Sequence, residues 1–112
     1  MNFRPAHLHD LPKIVFMLAD DFLGQQRERL EDPLPEGYVK AFREIEADPK
    51  NELIVAELDG EIIGTLQLIF TPSLSYQGGK RCTVESVRVD TELRGKGLGR
   101  EIMRWAIERA KE

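Results

Sequence analysis

Leu11, Ile14, Val15 and Leu18 recur at three-to-four-residue spacing, the period that gathers side chains on one face of an α-helix. Asp10 is placed to cap that helix, and Pro12 is tolerated in its first turn, where no intrahelical N–H bond is made. Before it, Asn2-Phe3-Arg4 reads as a short strand ended by Pro5. Residues 20–35 are acidic and include Pro33 and Pro35, which predicts a loop. Tyr38, Val39, Phe42 and Ile45 predict a second helix that ends near Asp48-Pro49.

The pattern then changes. Leu53 to Leu58 is a nearly continuous apolar run, a strand, and Asp59-Gly60 is a two-residue hairpin signal. Ile62 to Phe70 is the return strand, with Gly64 the expected place of a bulge. Pro72 to Lys80 is a polar connection containing Gly78-Gly79. Cys82 to Val89, rich in β-branched residues, is the next strand. Asp90 to Gly97 is a loop, and Leu98 to about Lys111 is a helix with Leu98, Ile102, Trp105, Ala106 and Ala110 on one side. The order β-α-α-β-β-β-α predicts one domain over residues 1–112, an α/β (α+β) sandwich with a mixed, mostly antiparallel sheet flanked by helices. A crossover helix normally returns the chain to a parallel strand, and this chain reaches Glu112 first.

Composition changes this picture little. A 41% hydrophobic, 32% charged chain of 112 residues is ordinary globular material for one small core. No apolar run approaches the roughly 20 residues of a membrane span, and the N-terminus lacks the apolar stretch of a secretory signal. One cysteine, Cys82, leaves no internal disulfide framework, so the chain reads as cytoplasmic. The net charge of −4 argues against general nucleic-acid binding. Residues 1–79 carry 7 Lys and Arg against 14 Asp and Glu, whereas residues 80–112 carry 9 against 6. The last third therefore suits an anion and the earlier part a cation.

The chemistry concentrates in Val87-Arg-Val-Asp-Thr-Glu-Leu-Arg-Gly-Lys-Gly-Leu-Gly-Arg100. Gly95, Gly97 and Gly99 alternate just before a helix, where bare backbone can approach a ligand closely. Helix N-terminal amides and the dipole favour phosphate, and Arg94, Lys96 and Arg100 add positive charge. The spacing is neither the Walker pattern nor the dinucleotide pattern G-x-G-x-x-G. Arg94-Gly95-Lys96-Gly97-Leu98-Gly99 resembles instead the Q/R-x-x-G-x-G/A acetyl-CoA motif of GNAT N-acetyltransferases. The strand Val84–Val89 before it, the amphipathic helix after it, the Asp59-Gly60 hairpin and the two early helices resemble that family's layout over essentially the whole chain.

The resemblance implies that backbone amides from Arg94 through Gly95, Lys96, Gly97, Leu98 and Gly99 to Arg100 hold the pyrophosphate of acetyl-CoA. It implies that the pantetheine arm pairs with Val87, Arg88 and Val89 like an added strand. No metal is expected. The expected activity is transfer of acetyl from acetyl-CoA to a primary amine of a small molecule or peptide by direct attack. Glu85 is the candidate general base: two residues before Val87, it is expected to share its face of the strand. A backbone N–H near Val87 is the candidate oxyanion donor. The early helix-loop region lines the acceptor site in the family, and here Asp20, Asp21, Glu28, Glu31, Asp32 and Glu36 make it acidic, suited to a cationic amine. Tyr38 reads as packing for the second helix, and Tyr76 as a loop residue beside the site. His7 and His9 read as surface or capping residues, and Cys82 as a passive apolar one. The family's tyrosine acid belongs to a segment expected beyond Glu112. The rival expectation is a catalytically incomplete fragment that acts as a CoA-binding or protein-interaction module. An open strand edge would favour a homodimer.

Overall fold

The computed structural model describes residues 1–20 and 22–111; Asp21, counted above among the acidic residues, lies outside them. Strand β1 (Asn2–Pro5) leads into helix α1 (Leu11–Ala19), a short α2 (Phe22–Arg27) and α3 (Glu36–Ala47). Strands β2 (Asn51–Leu58) and β3 (Glu61–Pro72), a single turn α4 (Ser75–Gly78), strand β4 (Lys80–Val89) and helix α5 (Leu98–Ala110) follow. Residues 20–35 are thus not all loop: Phe22–Arg27 forms a helix of 6 residues, too short for a periodicity to announce itself.

The four strands form one antiparallel sheet in the order β1-β2-β3-β4. The β2–β3 hairpin turns on Asp59 (φ 53°) and Gly60 (φ 81°), both left-handed, as the type I′ turn that matches strand twist requires. A bulge falls where the sequence suggests one: Ala56 faces Gly64 but Glu57 faces Ile62, which leaves Ile63 as the extra residue.

Each face of the sheet is covered. Ile54, Ala56, Ile63, Leu66 and Leu68 pack against Ile102 and Ala106 of α5. Val55 packs on the other face with Ala6, Leu11 and Ile14 of the α1 side and Phe42 of α3. Full burial of such aliphatic side chains stabilises by about 1.5–3 kcal/mol each. Ala110, expected on the packed side of α5, is exposed; Arg109 makes the contact at that end of the helix. Its guanidinium donates to both carboxylate oxygens of Glu52 at 3.1 and 2.5 Å. Trp105 stacks on Phe3 with centroids 4.7 Å apart and planes 8° from parallel.

Two buried details hold this arrangement. Asp10 is 3% exposed. It accepts from the Arg4 guanidinium at 2.8 and 3.2 Å and from the His7 N–H at 2.7 Å. Arg4 also donates to Glu57. Burial alone would raise the Asp10 carboxyl, but the Arg4 and His7 donors outweigh it and hold it below the usual carboxylate range. The second detail is Gly64. A Cβ there would lie 2.7 Å from Cδ1 of Ile102 and 3.1 Å from the Arg88 carbonyl oxygen, so bare backbone lets α5 approach the sheet.

Two outcomes are expected. Gly64→Ala destabilises the fold by about 1–3 kcal/mol through overpacking, and adding Ile102→Val, which removes the clashing methyl, recovers part of the loss in thermal melts. Simple additivity, with Ile102→Val costing as much in the Gly64→Ala background as in the wild type, would disprove the contact. Asp10→Asn loses about 1.5–3 kcal/mol, because the guanidinium of Arg4 loses one of its two carboxylate partners and keeps only Glu57. Because the folded pKa of Asp10 is depressed, its contribution is present above pH ~4 and lost as pH falls through the folded value. Urea titrations should therefore show the wild-type and Asp10→Asn stabilities converging in acid.

Candidate functional site

β4 carries the candidate site at its C-terminal end. Thr65 of β3 faces Arg88 and Gln67 faces Glu85, so one residue of β3 stands against two of β4, Ser86 and Val87. Ser86 is left-handed, with φ 55°, and marks a second bulge. The bulge reverses one expectation. Glu85 and Val87 do not share a face, because the extra residue shifts the alternation between them. Cys82, Val84, Val87 and Val89 all pack toward the α5 cluster. Glu85, opposite Gln67, and Arg88, opposite Thr65, lie on the α1–α3 side. The sequence held a signal for this: the apolar positions 82, 84, 87 and 89 are spaced two, three and two apart.

After Val89 the chain turns through Asp90 and a 3₁₀ turn, Thr91–Leu93, into the glycine loop. Asp90 is the anchor. Its N–H donates to the Ile63 carbonyl at 2.8 Å. Its carboxylate accepts from the Lys13 ammonium at 2.6 Å and from the Glu92 N–H at 3.0 Å. The Lys13 bond, with the Glu92 amide, holds the Asp90 carboxyl below the ordinary range. Lys13 was not among the residues the sequence singled out; nothing in spacing pairs residues 77 positions apart.

Gly95 (φ 84°) and Gly97 (φ 80°) are both left-handed, and Gly97 is the N-cap of α5. The first helical bond runs from the Glu101 N–H to the Gly97 carbonyl. The amides of Leu98, Gly99 and Arg100 therefore precede any acceptor of the helix itself and crown its positive end. A Cβ on Gly95 or Gly97 would meet no atom within 4 Å, so the space over these two residues is open. Arg94, Lys96 and Arg100 are exposed around it. The Arg94 guanidinium donates to the Val89 and Asp20 carbonyls, both at 3.4 Å. Leu98 packs against the core, as expected for its side chain.

The fold thus brings Val87, Arg88, Val89 and the loop from Arg94 to Arg100 to one end of the sheet. It does not bring Tyr76 there. Tyr76 is 95% exposed on α4, at the Lys80 end of β4, about 30 Å of strand from Val89. Tyr38 bridges elements instead of reacting: its hydroxyl donates to Glu28 at 2.7 Å and accepts from the Arg29 N–H at 2.9 Å. His7 is exposed at the N-cap of the 3₁₀ turn Leu8–Asp10 and His9 is exposed within it. Burial pushes the Cys82 thiol up, in keeping with a passive residue.

A cleft of about 380 Å³ is lined by Pro12, Leu30, Glu31, Asp32 and Leu34, in the acidic segment. A larger cavity, about 420 Å³, opens among Phe3, Phe42, Ile54, Trp105 and Arg109 and includes no residue of the glycine loop. Among the described residues no group of three or more His, Cys, Asp or Glu is arranged to hold a metal ion. No helix among them is long and apolar enough to cross a membrane.

Comparison with known proteins meets this geometry. The crystal structure of a protein described as a transcriptional regulator, from Bacillus halodurans C-125, is 55% identical, with a TM-score of 0.93 over 98% of this chain and 73% of that one. Glucosamine-6-phosphate N-acetyltransferase from Arabidopsis thaliana matches at 22% identity and a TM-score of 0.76, over 98% of this chain and 74% of that one. A predicted acetyltransferase from Clostridium acetobutylicum, solved with acetyl-CoA, matches at 19% identity and 0.71, over 98% and 73%. At these last two identities the likeness is one of fold. A comparison with curated proteins returned no match. The model of the acetyltransferase (GNAT) family matches residues 16–112, which takes in the last turn of α1, helices α2 and α3, the sheet from β2 onward, the glycine loop and α5. The chain belongs to the GNAT acetyltransferase family.

Proposed function

We propose that the protein transfers acetyl from acetyl-CoA to a primary amine of a small molecule or peptide. The observation that carries this reading is the junction of a bulged strand with a left-handed glycine loop that caps α5. A fold neighbour solved with acetyl-CoA supports the ligand.

The residues fit the group. Two left-handed glycines leave open space where a pyrophosphate needs close backbone approach. The amides of Leu98, Gly99 and Arg100 at the start of α5 supply donors, and exposed Lys96 and Arg100 supply charge. The loop from Arg94 to Arg100 would hold the pyrophosphate, and the outer edge of Val87, Arg88 and Val89 the pantetheine amides. When bound, acetyl-CoA supplies the acyl group as a thioester.

This chain's own residues then have three tasks. Ser86 and Val87 have no partner in the register with β3, so the Val87 N–H is our candidate donor to the acetyl oxygen. Glu85 is our candidate base, on the α1–α3 side of the sheet. Its carboxylate would take the proton of the ammonium acceptor, directly or through one water, and leave a nucleophilic amine. The acidic segment with Glu31 and Asp32 at its cleft would attract that cation.

Two measurements test the reading. Isothermal titration with CoA should show binding, weakened at least tenfold, or about 1.4 kcal/mol, by Gly97→Val. The substituted residue is strained at this φ and fills the open space. Unchanged affinity in a folded variant would remove the loop assignment. A thiol-release assay over a panel of primary amines should then show turnover, with kcat lowered roughly 10²-fold by Glu85→Gln and the deficit shrinking at high pH, where the acceptor is already neutral. Wild-type turnover by Glu85→Gln at neutral pH would take Glu85 out of the mechanism. CoA binding with no thiol release across the panel would favour the binding module instead.

A further inference from the structure

Two side chains, one from each side, join α1 to the segment that carries the glycine loop. Lys13, in the first turn of α1, bonds Asp90 at 2.6 Å, and its ammonium also lies 4.9 Å from the centroid of the Phe16 ring. From the loop side, Arg94 reaches back to the carbonyl of Asp20. Asp20 is the C-cap of α1, and its backbone (φ −86°, ψ 47°) has left the helical conformation. Helix α2 starts two residues later, at Phe22. At the far end of that segment, the Tyr38 hydroxyl joins Glu28 and Arg29 to α3. Helix α2 therefore lies between the end of α1, which is held to the glycine loop, and the Tyr38 tie to α3, and Glu31 and Asp32 follow directly after that tie.

We infer that Lys13 and Arg94 are positioning residues that latch α1 to the glycine loop, so that CoA on the loop also stiffens the acidic segment over residues 22–34. The inference rests on the CoA reading above. Its physical basis is shared rigidity. A ligand that fixes the loop fixes Asp90 and Arg94. Through their bonds to Lys13 and Asp20 these fix the first turn and the C-cap of α1, and ordering already supplied by the first ligand is not required of the second. Coupling of this kind is reciprocal, so an acceptor that ordered residues 22–34 would tighten CoA by the same factor. A purely structural bridge would lower stability when cut and leave the response to CoA unchanged.

Amide hydrogen exchange with CoA as the probe separates these cases, comparing the wild-type protein with Lys13→Met, Lys13→Arg and Asp90→Asn. Asp90→Asn keeps an oxygen for the Glu92 N–H and loses the charge that holds Lys13, so it cuts the Lys13 arm of the latch even where Lys13→Met folds poorly. In the wild type, CoA should slow exchange over residues 95–100 and over 22–34. In Lys13→Met and Asp90→Asn at saturating CoA, the slowing over 95–100 should persist while that over 22–34 falls at least threefold. Lys13→Arg should retain both. Undiminished slowing over 22–34 in both latch variants overturns the inference, as does a wild-type response confined to 95–100. No slowing over 95–100 in the wild type would remove the CoA reading and the inference with it.

Discussion

One extra residue in β4 sets the geometry of the whole site. With Ser86 left-handed and two residues of β4 set against one of β3, the strand stops alternating strictly. Val87 and Val89 then continue the apolar row of Cys82 and Val84 toward α5, and Glu85 and Arg88 turn to the opposite face. The same irregularity takes Ser86 and Val87 out of the β3 register. Without it, either Val87 or Val84 would face the wrong layer. A local strain therefore serves both packing and the proposed chemistry, a common use of bulges near active sites.

The loop beyond the strand depends on α5 being close to the sheet, and that depends on Gly64. Ile102 sits where a side chain on Gly64 would be. This sets the height of α5 above β3 and so the level at which its first-turn amides emerge. Both ends of α5 are fixed differently: the start by Gly97 and the anchored Asp90 turn, the end by the Arg109–Glu52 fork and the Trp105–Phe3 stack. A helix held this way presents its N-terminal donors in one orientation, which is what preorganised binding of an anion requires.

Much of this was legible in the sequence, for physical reasons that differ from element to element. Asp59-Gly60 gave the hairpin because few residue pairs tolerate two left-handed conformations in succession. Arg94 to Gly99 gave the loop because the alternating glycines stand between a β-branched strand and an apolar helical stripe; glycines alone are common in loops. Helix α2 was hidden because 6 residues span less than two turns, too few for a period. The α1 latch was hidden because Lys13–Asp90 and Asp20–Arg94 pair residues far apart in the chain. The β4 bulge lay between, written in the two-three-two spacing of Cys82, Val84, Val87 and Val89 but easily read as plain alternation. The face of Glu85 went with it.

The stack of Phe3 on Trp105 has a consequence of another kind. Trp105 is the chain's single tryptophan, and its ring lies face to face with a residue of the first strand. The tryptophan emission of this protein therefore comes from the seam where the beginning of the chain meets its last helix. That seam is about 12 Å along the helix axis from Gly97. The molecule carries a built-in lamp on the closure of its sandwich, set away from the loop where a ligand would arrive.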